Sequence, residues 1–136
     1  MTTRKWRWIG ELVTHAIHDR QIAEHGGLAG LRDAGALASA LARPQNLVQY
    51  ASPDAANLAT AYAFGLAKSR AFADGNKRTA WVVARLFLAD NGYRLTFDPL
   101  EAVKMMEGLA AGTVDEQAFA RWLRAGAVRA QHRPNE

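Results

Sequence analysis

Arg70-Ala71-Phe72-Ala73-Asp74-Gly75-Asn76-Lys77-Arg78-Thr79 is the stretch on which the fold turns. One aromatic, one carboxylate, a flexible Gly-Asn pair and two adjacent cations stand between two apolar runs. Upstream, Leu58, Ala59, Ala61, Tyr62, Ala63, Phe64, Leu66 and Ala67 leave almost no polar face, which predicts a buried helix running from Pro53. Downstream, Ala80 to Leu88 reads the same way and stops at Asn91-Gly92, a left-handed C-cap signal. Gly75-Asn76 opens that second helix. Its first N–H groups have no intrahelical partner and carry the positive end of the dipole, so an anion can dock there. Lys77 and Arg78 fall in the first turn, where the dipole disfavours cations, and a bound polyphosphate would resolve the conflict. Asp74 sets a carboxylate beside that phosphate, where Mg²⁺ commonly takes one or two protein oxygens plus phosphate oxygens. Phe72 reads as an inward plug that fixes the loop. The competing reading is an exposed Asp-Gly-Asn turn with a basic first turn after it. The spacing is that of neither a Walker A loop nor a dinucleotide fingerprint.

Working outward, Trp8, Leu12, Val13, Ala16, Ile17 and Ile22 recur at helical spacing and predict a first helix that ends before Gly26-Gly27. Asp33 caps a second helix through Leu37 and Leu41, which Pro44 is expected to terminate. Ser52-Pro53-Asp54 reads as an N-cap, a proline at the first helical position and an early acid. Tyr93 to Phe97 alternates like a short extended segment. Asp98-Pro99 starts a further helix to about Gly112, and Thr113-Val114-Asp115-Glu116 reads as a capping box for the last, with Phe119, Trp122 and Leu123 inward. The expected fold is all-α: a compact bundle of about six helices around two buried central ones, with at most a small extended flap.

The chain has 136 residues, the length of one domain. Residues 1–126 are read as that domain, and 127–136 as a basic C-terminal tail, ordered or disordered. Alanine is abundant and β-branched residues sparse, which favours helix. There is no cysteine, so disulfides, thiolate zinc sites and Cys nucleophiles are excluded, and a reducing cytoplasm fits. The basic N-terminus is not followed by an apolar run, and no stretch has transmembrane length. A net charge of +4 suits an anionic ligand or an acidic partner. The basic residues are scattered and no helix-turn-helix presents a basic recognition helix, which argues against direct DNA binding. Arg121, Arg124, Arg129 and Arg133 load the C-terminal end and read as a solvated last helix and frayed tail.

The motif resembles that of the Fic/Doc family, and more closely its Doc (death-on-curing) toxins, whose signature runs His-x-Phe-x-Asp/Asn-Gly/Ala-Asn-Lys-Arg-Thr-Ala. The match covers Phe72, Asp74, Gly75, Asn76, Lys77, Arg78, Thr79 and Ala80. It extends to His18-Asp19-Arg20-Gln21-Ile22, to His25 through Asp33, to Leu37 through Pro44 and to Asn91-Gly92-Tyr93, so that residues 8 to 125 are spanned. The resemblance implies a small α-helical domain and transfer of part of a nucleoside triphosphate to a protein hydroxyl. Adenylyl-transferring members carry Gly-Asn-Gly-Arg-x-x-Arg. Here Lys77 stands at their second glycine and Trp81 at their second arginine, and both departures point to the Doc branch. That branch implies ATP and Mg²⁺ as cofactors and transfer of the γ-phosphate to a threonine of elongation factor Tu, which halts translation. It also implies an antitoxin of the Phd (prevent-host-death) type, whose C-terminal segment folds on binding. By the same resemblance Gly75, Asn76 and the helix start hold phosphate oxygens. Lys77 and Arg78 neutralise the transferring group, Asp74 positions Mg²⁺ or the loop, and Phe72 is structural.

Arg70 departs from the pattern, which implies a general-base histidine there. A guanidinium has five donors and no acceptor and stays protonated, so it cannot take the proton of an attacking hydroxyl. A positioned general base is worth roughly 10²–10⁴ in rate. The chain reads as a toxin inactivated by substitution. The alternatives are a pseudoenzyme that still binds nucleotide or antitoxin, chemistry by positioning alone, and adenylylation. His15 and His18, three apart on the first helix, would suit a metal pair or a substitute base, but read first as a helix-surface pair, with His18 in a structural motif. His25 reads as a helix-end residue favourable to the dipole.

Overall fold

The computed structural model describes residues 5–130. It contains helices α1 (Glu11–His25), α2 (Ala34–Tyr50), α3 (Ala55–Ser69) and α4 (Asn76–Asp90), strand β1 (Tyr93–Leu95), helices α5 (Pro99–Ala111) and α6 (Glu116–Gly126), and strand β2 (Ala127–Arg129). The all-α expectation holds, and the extended element is a two-stranded antiparallel sheet pairing Tyr93 with Arg129 and Leu95 with Ala127.

α3 is the axis. It packs against α2, α4, α5 and α6 and buries Leu58, Ala59, Tyr62, Ala63, Leu66 and Ala67. Small alanines let the neighbouring helices approach closely, and Tyr62, Phe87, Phe119 and Leu123 fill the remaining space. α4 is buried on one face, through Thr79, Ala80, Val83, Ala84, Phe87 and Leu88, while Arg85 is exposed. Its all-round apolar reading therefore holds for one face. The N-terminal segment closes the core from above. Trp6 and Trp8 lie 5.9 and 6.0 Å from the Phe87 ring, and the Ile9 N–H donates to the Tyr62 hydroxyl at 2.8 Å. Asn91 does more than end α4: its side chain accepts from Arg7 N and donates to Arg7 O, locking that segment in place.

Several expected boundaries move. α2 does not stop at Pro44 but continues to Tyr50. Proline removes one backbone bond and crowds the carbonyl four residues earlier, here that of Ala40. That side of α2 faces Gly65 of α3, where an added Cβ would come 3.2 Å from the Ala40 oxygen. Continuing the helix packs Leu47 and Val48 against the core, which outweighs one lost bond. The cap of α3 is Asp54 rather than Ser52. Asp54 accepts from Asn57 N at 2.9 Å and Asn57 returns the bond to Asp54 N at 3.0 Å. The last helix is capped by Asp115, which accepts from Ala118 N, rather than by Thr113. The Thr113 amide instead bonds the Gly108 carbonyl and finishes α5. α1 turns a different face inward: Thr14 and His18 are buried, whereas Leu12 is 87% and Val13 45% exposed.

The C-terminal arginines are not simply solvated. Arg124 makes two bonds to the Asp54 carboxylate, 2.7 and 3.1 Å, joining α6 to the start of α3. Arg129 lies over the Tyr93 ring. Residues 127–129 of the expected tail form β2; Arg133 and the rest of that tail lie outside the described residues.

Candidate functional site: a basic cleft at the start of α4

The α3–α4 connection is held on both sides. α3 ends at Arg70, whose φ of 49° and ψ of 43° place it in the left-handed region, the one non-glycine residue so found among those described. Such a conformation is disfavoured for most side chains, and histidine is among those enriched there. Arg32 stabilises it: its guanidinium donates from Nε at 3.1 Å and Nη2 at 2.8 Å to the Arg70 carbonyl. The next carbonyl, of Ala71, accepts from the Arg32 and Asp33 amides at 2.7 and 3.0 Å, and Ala73 N donates to Gly30 O. The segment before α2 thus pairs with the motif like a fragment of sheet.

Phe72 is buried, as expected of a plug. Its ring stacks on His18 at 3.8 Å and 9°, with His15 edge-on at 5.5 Å. His18 is 1% exposed, and its Nε2 bonds the Asp74 carbonyl at 2.8 Å. The surface-pair reading fails for His18, which is buried in the structural role also expected of it, while His15 is half-buried. Aromatic stacking and one backbone bond draw His18 under the loop, and neither histidine lines the cleft.

Asn76 also differs from the simplest expectation. Its side-chain amide accepts from Phe72 N at 3.1 Å and donates to Phe72 O at 3.0 Å, so the side chain fastens the loop to itself. Only its backbone N–H faces the helix start. Gly75, the N-cap, has φ 73° and no side chain to cap the helix. α2, α3, α5 and α6 each begin on an aspartate that accepts a first-turn N–H. At α4 that place is left open, and Lys77 and Arg78 occupy the first turn, both exposed. Asp74 Oδ1 accepts from Gly75 N at 2.9 Å and Oδ2 from Leu28 N at 3.3 Å. These two amides, with Arg78 and His18 nearby, hold its carboxyl below the usual range. It is ionised at neutral pH, and each oxygen keeps acceptor capacity for a cation.

A cleft of about 1280 Å³ opens over this loop. Arg32, Lys68, Arg70, Lys77, Arg78 and Arg85 line it, with Asp74 and Glu107 as its carboxylates. The far wall is apolar and comes from Trp81, Phe97 and the α5 residues Ala102, Val103 and Met106. Arg85 lies over the Trp81 and Phe97 rings at 5.8 and 5.4 Å. Every expected site residue from Arg70 to Arg78 lines this one cavity. Reading the sequence missed Arg32, Lys68, Arg85 and the α5 wall. Arg32 stood in a quoted segment but carried no sign of its carbonyl contact, and α5 reaches the cleft through folding alone. Among the described residues no group of three His, Asp or Glu side chains could hold a metal by itself. Asp74 fits a metal shared with a ligand's phosphates.

The sequence model of the Fic/DOC family matches residues 9–88, which include α1 through most of α4 and the whole motif loop. The chain belongs to the Fic/Doc family. Two curated relatives bear this out. It is 36% identical over 110 residues to the "Protein kinase doc" of Escherichia phage P1, a match covering 80% of this chain and 86% of that one. It is 40% identical over 110 residues to the "Toxin Doc" of Mycolicibacterium smegmatis, covering 78% and 85%. Both alignments span most of each protein rather than a single motif.

Proposed function

We propose that this Fic/Doc chain has the scaffold of a toxin from a toxin–antitoxin pair, built to move the γ-phosphate of ATP onto a protein hydroxyl. The observation that supports this best is the open, cation-flanked start of α4. First-turn N–H groups, Lys77 and Arg78 converge there with no ion-pair partner among the described residues. In-line transfer forms a bond from the acceptor oxygen to the γ-phosphorus and breaks the bond to the bridging oxygen of ADP. The proton of the acceptor hydroxyl would pass to a base at position 70 and, where Arg70 cannot accept it, must go to solvent water. Lys77, Arg78 and the helix dipole oppose the charge spread over the equatorial oxygens. Asp74 would hold Mg²⁺ together with phosphate oxygens, and that ion supplies further charge neutralisation. Gly75 takes the left-handed φ of the turn and lets it lie close to Ile22 and His18, while Asn76 and Phe72 keep the loop rigid. The kinase name of the phage relative supports phosphoryl rather than adenylyl transfer, and Trp81 on the cleft wall removes a cation that adenylyl transfer would use.

Threonine of elongation factor Tu is the proposed acceptor, and a Phd-type antitoxin, folding its C-terminal segment onto the toxin, the proposed partner, both in the cytoplasm. No described helix is long and apolar enough to cross a membrane.

Arg70 lines the cleft where the proton acceptor is expected, and its guanidinium cannot accept. The chain is therefore proposed to be catalytically impaired. Arg70→His is expected to raise γ-phosphate transfer by about 10²–10⁴ and to restore growth arrest on expression. No gain in either assay would remove the impairment argument. ATP labelled at the α- or the γ-phosphate separates the two transfer types, and α-label on the target would overturn the kinase assignment.

A further inference from the structure

The described residues form three ion pairs, Arg20–Glu24, Arg43–Glu116 and Arg124–Asp54, and none involves a cation of the cleft. Arg32 is committed to the Arg70 carbonyl. Arg85 rests on aromatic rings and Lys68 lies 6.0 Å from Phe64. Arg70, Lys77 and Arg78 are left with exposed charges and no opposing side chain bonded to them. They fall into two groups. Lys77 and Arg78 sit at the start of α4, and Arg70 sits at the other end of the loop, where α3 finishes. The cavity they share exceeds the 300–1,000 Å³ of ordinary small-molecule sites.

We propose that Arg70 forms a second anion subsite, separate from the polyphosphate site at α4, that takes the phosphate monoester of a phosphorylated protein side chain. This rests on the phosphoryl-transfer reading of the cleft. A base at this position would receive a neutral hydroxyl. A guanidinium receives the same side chain after it has been phosphorylated, through paired N–H donors matched to phosphate oxygens. Arg32 fixes the backbone from which that guanidinium projects. The chain then holds an already phosphorylated side chain beside bound ADP. The same chemistry is presented by the terminal phosphate of ATP, and the experiment separates the two.

The full-length protein is titrated calorimetrically with N-acetyl-O-phosphothreonine amide in saturating ADP, and in parallel with ADP, ATP and the unphosphorylated amide. Wild type, Arg70→Gln and Arg70→Lys are compared, with thermal melts to confirm folding; the residue 70 side chain is exposed, so either substitution opens no core cavity. The expected result is binding of the phosphorylated but not the unphosphorylated amide, weakened about tenfold in Arg70→Gln and partly recovered in Arg70→Lys, with a smaller loss for ADP. Equal affinity of wild type and Arg70→Gln for the phosphorylated amide overturns the subsite. So does a loss confined to ATP, which would assign Arg70 to the nucleotide's own terminal phosphate. Arg70-dependent binding of the amide in a protein that fails to bind ADP would uphold the subsite and remove the nucleotide reading instead.

Discussion

His18 is polar by composition and part of the core by position. Its ring lies parallel to Phe72, and its Nε2 reaches the Asp74 carbonyl, so one side chain supports both ends of the loop's critical turn. Two substitutions separate these roles. His18→Ala removes stack and bond together and is expected to lower stability by about 3 kcal/mol in urea unfolding. His18→Phe preserves an aromatic plane and strands the carbonyl, for a loss of about 1–2 kcal/mol. In both, nucleotide affinity is expected to fall because the start of α4 loses its fixed approach. Equal losses in the two variants would show that the hydrogen bond, and not the stack, holds the loop. Asn76 teaches the same lesson from the opposite direction: a residue type suited to phosphate contact is spent on the Phe72 peptide.

At the scale of elements, helix existence was readable wherever composition was extreme. The largely apolar α3 and the Asp98-Pro99 start of α5 came out as expected, because burial and a preset φ leave few alternatives. Boundaries failed where two local signals competed. Ser52 and Asp54 are both good caps, and the reciprocal bonds with Asn57 select Asp54. Pro44 is a local stop signal overruled by packing beyond it. That overruling depends on the α2–α3 seam at Gly65, where a Cβ would lie 3.1 Å from Arg43 Cδ and 3.2 Å from Ala40 O. Gly65→Val is expected to force the helices apart and cost about 1–3 kcal/mol in urea midpoint measurements. Gly65→Ala should be close to neutral, since a gain of about 1 kcal/mol in helix propensity offsets the crowding.

Over the whole molecule, two titrating groups set opposite limits to stability. Hydrogen bonds from Arg124 and from the Asn57 amide hold the Asp54 carboxyl below its usual range, against partial burial. A lowered native value means that its contribution is present above the unfolded value of about 3.9 and is lost as pH falls through the native value. Tyr62, pushed up to about 12 by burial, contributes below about pH 10 and loses that contribution as pH rises from 10 through 12. Thermal melts across pH should therefore show both limbs. Asp54→Asn is expected to flatten the acid limb and Tyr62→Phe the alkaline one, each on a lower plateau because the Arg124 ion pair or the Ile9 contact is lost.

The sequence by itself determined the helical class, the buried α3, the loop with its bare glycine start and paired cations, and the presence of a guanidinium where a proton acceptor is expected. These are properties of residue type and near-neighbour spacing, which short-range sterics and hydrogen bonding settle. Only the tertiary structure decided that His18 lies beneath the loop, that Arg32 grips the Arg70 carbonyl, and that α5 supplies the far wall of the cleft. The two hydrogen bonds join residues 56 and 38 positions apart, and local pattern holds no record of them or of the side on which α5 packs. They follow from which faces the helices bury together, a choice made by the packing of the whole core.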